Sequence, residues 1–440
     1  MNPLQDPNFP FRPDRLPVFY GWVIVVVATA GIILSIPGQT MGVSVFTDDL
    51  ISATGLSRLQ ISNAYLVGTL LSGLSLPMGG QLLDRFGARA MVVLASLLLG
   101  ATLMYFSSID AIAASLGGGL AATSLCLILG FVCLRFSGQG MLTVTSRTML
   151  GKWFDKKRGR VAGTSGMFVS FGFSYAPLLL KDLVDDFGWR GAYWAMALCS
   201  ICVTASLGWL FFRDNPEQCG LRMDGGDQTE PSSVMQKETI YDFDRGEAIR
   251  TRAFWALALG LGSHGLIMTG ITFHILDIGA ESGLSGTESV ALFLPMAMVG
   301  AVVGTFVGFL AERVSPFTLL LCMMASMSLG ILGFTSLQEL KWLAVVGFGT
   351  TGGFFSNLST IALPRWFGRL HLGAIGGFKM MCLVLATSIG PSLLATSKHL
   401  TGSYEPVLWL TLLLPATGAI LSLTSRDPQG GVPQTAHRAA

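Results

Sequence analysis

Three cations stand inside long apolar runs of this sequence: Arg135, Arg147 and Lys379. A cation at the centre of a bilayer costs about 2.5–3.5 kcal/mol on insertion scales, so it is kept where it faces a bundle interior or a wet cavity. Such a group can hold an anion, or favour the charged form of a nearby acid. Arg135 lies near the middle of its run. It reads either as a cavity cation that binds an anion and influences proton transfer, or as a structural arginine bonded to carbonyls of a neighbouring helix. Lys379 lies about two turns into its run, where its ammonium either contacts a carboxylate or snorkels to the near face; the substrate role is the expected one. Arg147, near the end of its run, reads as a member of a gate or loop ion pair.

His264 and His274 share one run, about 80° apart around a helix axis at 100° per residue. Histidine titrates near physiological pH and can relay a proton. His274 is the proton-coupling candidate beside Arg135, with an interior hydrogen-bonded histidine as the plain alternative. Asp277, three residues on, is spaced to pair with His274 or to sit in solvent. Gln39, Tyr65, Gln139, Tyr175 and Asn357 are polar residues in apolar runs, suited to lining a cavity or to bonding between helices. Tyr65 and Asn357 stand among small residues. The substrate-binding set is therefore Arg135, Lys379, Tyr65, Gln139 and Asn357.

Other chemistries lack their residues. The sequence has no G-x-x-x-x-G-K-[ST] loop for a nucleotide and no evident Ser/His/Asp arrangement. The seven cysteines show neither a disulfide framework nor metal-ligand spacing, and Cys199-x-x-Cys202 falls in an apolar run where packing explains it. No catalytic residue, metal, cofactor or nucleic acid is expected. The energy source is then a gradient, in which one charge moved through 100 mV is worth about 2.3 kcal/mol.

The elements that must position these residues follow from composition. The 440 residues are 51% hydrophobic and 12% charged, with mean hydropathy +0.60, about half the charge fraction of soluble domains. A crossing helix needs about 20 apolar residues. Spans are expected near 18–46, 59–82, 89–109, 120–150, 159–181, 190–212, 253–277, 287–310, 316–336, 342–364, 373–397 and 405–424. The expectation is an all-α membrane protein of twelve transmembrane helices. Residues 1–17 form a polar, Pro-rich tail rather than a cleavable signal, 18–212 a first six-helix bundle, 213–251 a linker, 252–425 a second bundle, and 426–440 a second tail. Lys and Arg concentrate on the loops that face one side, about four to one, and the positive-inside rule makes that side cytoplasmic for both termini.

Two motifs recur at one separation. Gly55-Leu-Ser57 precedes Asp84-Arg85, and Gly283-Leu-Ser285 precedes Glu312-Arg313. Lys152-Trp153-Phe154 is answered by Arg365-Trp366-Phe367, with the glycine-rich 111–122 as the extra stretch of the first half. Duplicated bundles of this kind place a substrate site near mid-membrane between them. The charges Asp84, Arg85, Arg89, Glu312 and Arg313, with Arg147, are read as a gate that holds one conformation.

Gly80-x-Leu-x-Asp84-Arg85-x-Gly87-x-Arg89 resembles the loop motif of the major facilitator superfamily of transporters. Tyr20-Gly-Trp22, Trp153-Phe154, Arg158-Gly159, Phe187-Gly-Trp189-Arg190-Gly191, Asn215-Pro-Glu217 and Thr272-Phe-His274 resemble monocarboxylate porters and bacterial oxalate/formate antiporter-like members. Arg135-Phe-Ser-Gly138-Gln139-Gly140 is similar to the superfamily's fourth-helix motif, with one extra residue before Gln139-Gly140. The resemblance implies a major facilitator fold, an anionic substrate with Lys379 as one ligand, and a latch role for the Gly80–Arg89 loop. It also implies an arginine in the eighth span, and for the eukaryotic porters a lysine in the first. Residues 287–310 carry no cation, and 18–46 carry no lysine.

The expected function is secondary active transport of a small organic anion, a monocarboxylate first, coupled to protons or a counter-anion, by a monomer in the cell inner membrane. A proton-driven exporter of amphipathic compounds is the alternative in the same fold. A transport-dead sensor or scaffold is the alternative of another class, and the short linker and tail argue against it.

Overall fold

The computed structural model describes residues 6–226 and 241–431, and among these the chain folds into helices and turns with no strand. Residues 227–240 of the expected linker lie outside the described residues. The principal helices are α1 (Gly21–Val45), α2 (Leu59–Ser107), α3 (Leu120–Trp153), α4 (Arg158–Phe211), α5 (Arg252–Glu281), α6 (Gly286–Leu310), α7 (Pro316–Thr335), α8 (Leu337–Phe367), α9 (Leu372–Thr401) and α10 (Glu405–Gly430). Nine of them, all but α8, are long and apolar enough to cross a bilayer among the described residues.

Two of the nine are double length, 49 residues in α2 and 54 in α4. Each is broken at one glycine, Gly87 (φ 80°, ψ 165°) and Gly188 (φ 67°, ψ 164°). Positive φ with extended ψ is a region that glycine alone reaches at low cost. Each glycine follows a phenylalanine, and the chain turns there between two segments of crossing length.

The first expected span, 18–46, is not one helix. The helix ends at Ile33, a 3₁₀ turn covers Ile36–Gly38, and helix resumes over Thr40–Val45. Pro37 has no N–H to donate and its ring crowds the preceding turn. The break leaves the Gly38 carbonyl outside the helical ladder.

The Gly-Leu-Ser repeat proves to be a helix-start signal used twice. Gly55 and Gly283 both have positive φ, and Ser57 and Ser285 both form capping boxes. The Ser57 N–H donates to Gln60 Oε1 at 2.8 Å, and the Ser285 N–H donates to Glu288 Oε2 at 2.8 Å. Each box satisfies backbone donors that the first turn leaves without partners.

The chain divides into two compact units. The first comprises the described residues of Met1–Trp153, Phe171–Gly225 and Gly376–Met381; the second comprises those of Phe154–Ser170, Gly226–Ile375 and Cys382–Ala440. The first has an aromatic core in which Tyr193 stacks on Phe46 at 4.3 Å and on Phe106 at 5.7 Å. In the second, Phe317 packs on Trp366 at 4.4 Å.

The second unit also contains a glycine seam. Gly159 and Gly163, four apart at the start of α4, meet Gly308 and Gly304, four apart on α6. Small residues at this spacing let helix backbones approach closely. A Cβ added at Gly159 would lie 2.1 Å from the Gly308 carbonyl oxygen. Gly159→Ala is therefore expected to lower stability by about 1–3 kcal/mol, the usual range for overpacking. Gly352→Ala, whose Cβ meets nothing within 4 Å, should leave it unchanged; thermal unfolding of both variants in nanodiscs checks this.

Candidate functional site

The site is built around a defect in α3. Over Arg135–Leu142 the helix widens into a π segment, a form that recurs at functional sites. Arg135 heads it and is 2% exposed. Its Nη1 donates to the Gly38 carbonyl at 2.9 Å and to the Thr40 hydroxyl at 3.4 Å. Both acceptors come from the break in α1. The guanidinium lies 5.3 Å from the Tyr65 ring centroid, and the Tyr65 hydroxyl donates to Thr40 at 3.0 Å. No carboxylate is among Arg135's partners. Its Nε is buried without a partner, and so are Gln139 Oε1 and Thr143 Oγ1. These three residues follow one another at intervals of four along α3. The arginine thus bonds to one main-chain carbonyl and one hydroxyl, and its Nε keeps a hydrogen without an acceptor.

The structure gives Lys379 other company. It is buried, in the stretch of α9 that belongs with the first unit, and feels the charge of Arg147 on α3. Like charges in a low dielectric repel strongly. Gln39 bonds locally, its Nε2 donating to Ser35 Oγ at 2.9 Å. Tyr175 is 58% exposed. In the second unit, Asn357 Nδ2 donates to the carbonyls of Gly304 (2.8 Å) and Gly353 (3.0 Å), which ties α8 to α6, while its buried Oδ1 has no partner.

The Gly80–Arg89 loop is organised by residues from the start of the linker. Asp214 accepts from the Ala88 N–H at 3.2 Å, from Lys152 Nζ at 3.0 Å and from Asn215 Nδ2 at 3.1 Å. Arg89 donates to main-chain carbonyls of Asp6 (2.7 Å), Phe9 (2.9 Å) and Phe212 (3.2 Å). Arg213 donates to those of Pro7 (2.7 Å) and Phe9 (2.9 Å). The two guanidiniums clamp the segment before α1. Arg85 lies 5.3 Å from the Phe86 ring centroid, and Asp84 and Arg85 line a polar cavity of about 220 Å³ with Arg89, Arg213 and Asp214. In the second copy, Arg160 Nη2 donates to Glu312 Oε2 at 3.0 Å. Arg365 caps the end of α6 by donating to the carbonyls of Ala311 and Val314.

Cys219 packs beside this clamp, 3% exposed. Burial is the largest influence on its thiol and pushes it up to about 11, against the lowering effect of Arg213 and Arg89. It should therefore resist a water-soluble maleimide at pH 7.4 in the native protein and react fully after denaturation, as peptide mass spectrometry would show.

His274 and Asp277 do not pair directly. The Tyr404 hydroxyl stands between them, 3.2 Å from His274 Nδ1 and 3.3 Å from Asp277 Oδ2. His264 stacks on Phe355 at 4.8 Å, and its Nδ1 has no partner. Among the described residues, no group of three or more His, Cys, Asp or Glu could hold a metal ion.

A family model described as Major Facilitator Superfamily matches residues 23–391. This chain belongs to that superfamily. As a member of the major facilitator superfamily it is a transporter in the membrane, not an enzyme. It is 25% identical over 387 residues to an uncharacterized 38 kDa protein in a 23S RNA operon of Thermoproteus tenax, covering 86% of this chain and 91% of that protein. It is 26% identical to monocarboxylate transporter 11 of Mus musculus over 409 residues, covering 88% and 83%. The fold is similar to that of the major facilitator proton:xylose symporter XylE bound to 6-bromo-6-deoxy-D-glucose, with TM-score 0.68 and 14% identity, covering 96% of this chain and 99% of that one. Within this superfamily fold, sequence reading missed Asp214, Arg213, Arg160 and Tyr404. Asp214 stands beside Asn215-Pro216, the one signal for it in the sequence.

Proposed function

We propose that this transporter is a secondary active carrier of a small organic anion, a monocarboxylate first, driven by protons or a counter-anion. The carrying observation is Arg135: a buried guanidinium with no carboxylate among its partners and an unsatisfied Nε. A buried charge is costly unless paired, and an anionic substrate supplies the pair. The name of the mouse relative, a monocarboxylate transporter, agrees with this reading.

In this reading twelve crossings form two bundles of six, both termini are cytoplasmic, the carrier works as a monomer in the cell inner membrane, and the bundles alternate about a central site. Arg135, Lys379, Tyr65 and Gln139 bind the anion, and Asn357 ties α8 to α6 within the second unit. Asp84, Arg85, Arg89, Arg147, Glu312 and Arg313 belong to the gate, and His274 takes part in proton movement.

The test is uptake of formate, acetate, lactate, pyruvate and oxalate into proteoliposomes, under an imposed pH gradient and separately with internal counter-anion. Saturable accumulation of at least one is expected. Failure of all five, together with proton-driven movement of lipophilic cations, would replace this reading with that of an exporter of amphipathic compounds.

A further inference from the structure

The last turns of α5 present His274, Asp277 and Glu281, and the turn between α9 and α10 brings Tyr404 against them. Glu281 holds that turn in place. Its carboxylate pairs with Lys398 and accepts from Ser403 Oγ at 3.1 Å and from the Tyr404 N–H at 3.3 Å. Lys398 Nζ lies 5.4 Å from the Tyr404 ring centroid. Tyr404 itself is 3% exposed. Its hydroxyl is thereby fixed between His274 Nδ1 and Asp277 Oδ2, while His274 Nε2 lies 3.0 Å from the Pro391 carbonyl oxygen.

The hydrogens in this chain can be counted. A carbonyl only accepts, so His274 Nε2 carries a hydrogen. The phenol has one hydrogen, and it keeps it: burial first, then the charge of Asp277, pushes Tyr404 up to about 12. That hydrogen serves Nδ1 or Asp277, but not both. With a neutral imidazole and an ionised Asp277, one of the two contacts sets lone pair against lone pair. A single additional proton, on Nδ1 or on the carboxyl, gives every contact a donor.

We propose that His274, Tyr404 and Asp277 form a proton-binding site that holds one proton beyond those of a neutral imidazole and an ionised carboxylate. The charged groups beside it are Asp277 and Glu281 from α5 and Lys398 from α9. Glu281 and Lys398 neutralise each other, which leaves Asp277 as the acceptor that sets the proton count. Asp277 is exposed and Tyr404 buried, so the carboxylate is the outer member of the site and the phenol links it to the ring. The site rests on the proposed part of His274 in proton movement, and stands apart from the question of which anion is carried.

The test is magnetic resonance of the full chain in lipid nanodiscs at pH 7, labelled with ¹⁵N-histidine and ¹³C-aspartate and assigned with His274→Gln and Asp277→Asn. The expected result is two N–H signals from His274 with an ionised Asp277, or one N–H with a protonated Asp277. Tyr404→Phe should lose that extra proton. Where this core variant fails to fold, Asp277→Asn at the exposed position should leave His274 with a single N–H. A neutral ring beside an ionised Asp277 in the wild type would overturn the site, and so would an extra proton that persists in folded Tyr404→Phe.

Discussion

Arg135→Gln should reduce anion uptake about 100-fold while leaving the protein folded. A hydrogen bond to a charged group contributes about 1.5–3 kcal/mol, and 1.36 kcal/mol corresponds to about tenfold in rate. Glutamine keeps a donor for the Gly38 carbonyl and the Thr40 hydroxyl, which Arg135 now serves at 2.9 and 3.4 Å, so the α1 break stays tied to α3. It removes the charge. Arg135→Lys restores the charge without the fork, because an ammonium cannot reach two acceptors and a ligand in the same plane. It should recover part of the loss, mainly in maximal rate. The check is initial uptake rate at several concentrations in proteoliposomes, normalised to protein inserted. Equal rates for all three proteins would remove Arg135 from the substrate path.

The largest effect on stability is expected at Asp214. Its side chain is 20% exposed and that of Lys152, its partner, 4%. Breaking a buried pair by removing one member costs about 3–5 kcal/mol. Asp214→Ala should fall in that range, and it also strips the acceptor from Ala88 N–H beside the Gly87 turn. Asp214→Asn keeps an acceptor there and should lose less. The double variant Asp214→Leu with Lys152→Met removes both charges and should recover much of the stability. Thermal unfolding of the three variants in nanodiscs measures the series. A double variant no more stable than Asp214→Ala would show that the ion pair is not the source of the cost.

Much of this was legible in the sequence because it depends on local chemistry. Hydropathy and the Gly-Leu-Ser repeat reflect helix packing and helix starts, and both are written in consecutive residues. Arg135 stood out because a cation in an apolar run needs an explanation. Its environment did not. The π segment's one sign was the extra residue before Gln139-Gly140, and the carbonyl acceptor comes from a break in a helix 97 residues away. Pro37 was visible, but its neighbours are apolar enough to be read as one span. Arg89 was legible as a charge in a loop motif. Its acceptors are carbonyls, which any residue supplies, so no spacing could identify them. Tyr404 was overlooked for a related reason: its partners lie 127 and 130 residues away, and nothing in its own neighbourhood marks it as polar machinery.

The anion's seat at Arg135 is tested most directly by ligand-dependent thermal stabilisation. A ligand that binds only the folded state raises the unfolding midpoint by mass action. Purified wild-type protein, Arg135→Lys and Arg135→Gln would be melted with formate, acetate, lactate, pyruvate and oxalate at matched ionic strength. A rise with at least one of them in the wild type, smaller in Arg135→Lys and absent in Arg135→Gln, is the predicted result. An equal rise in Arg135→Gln would contradict it.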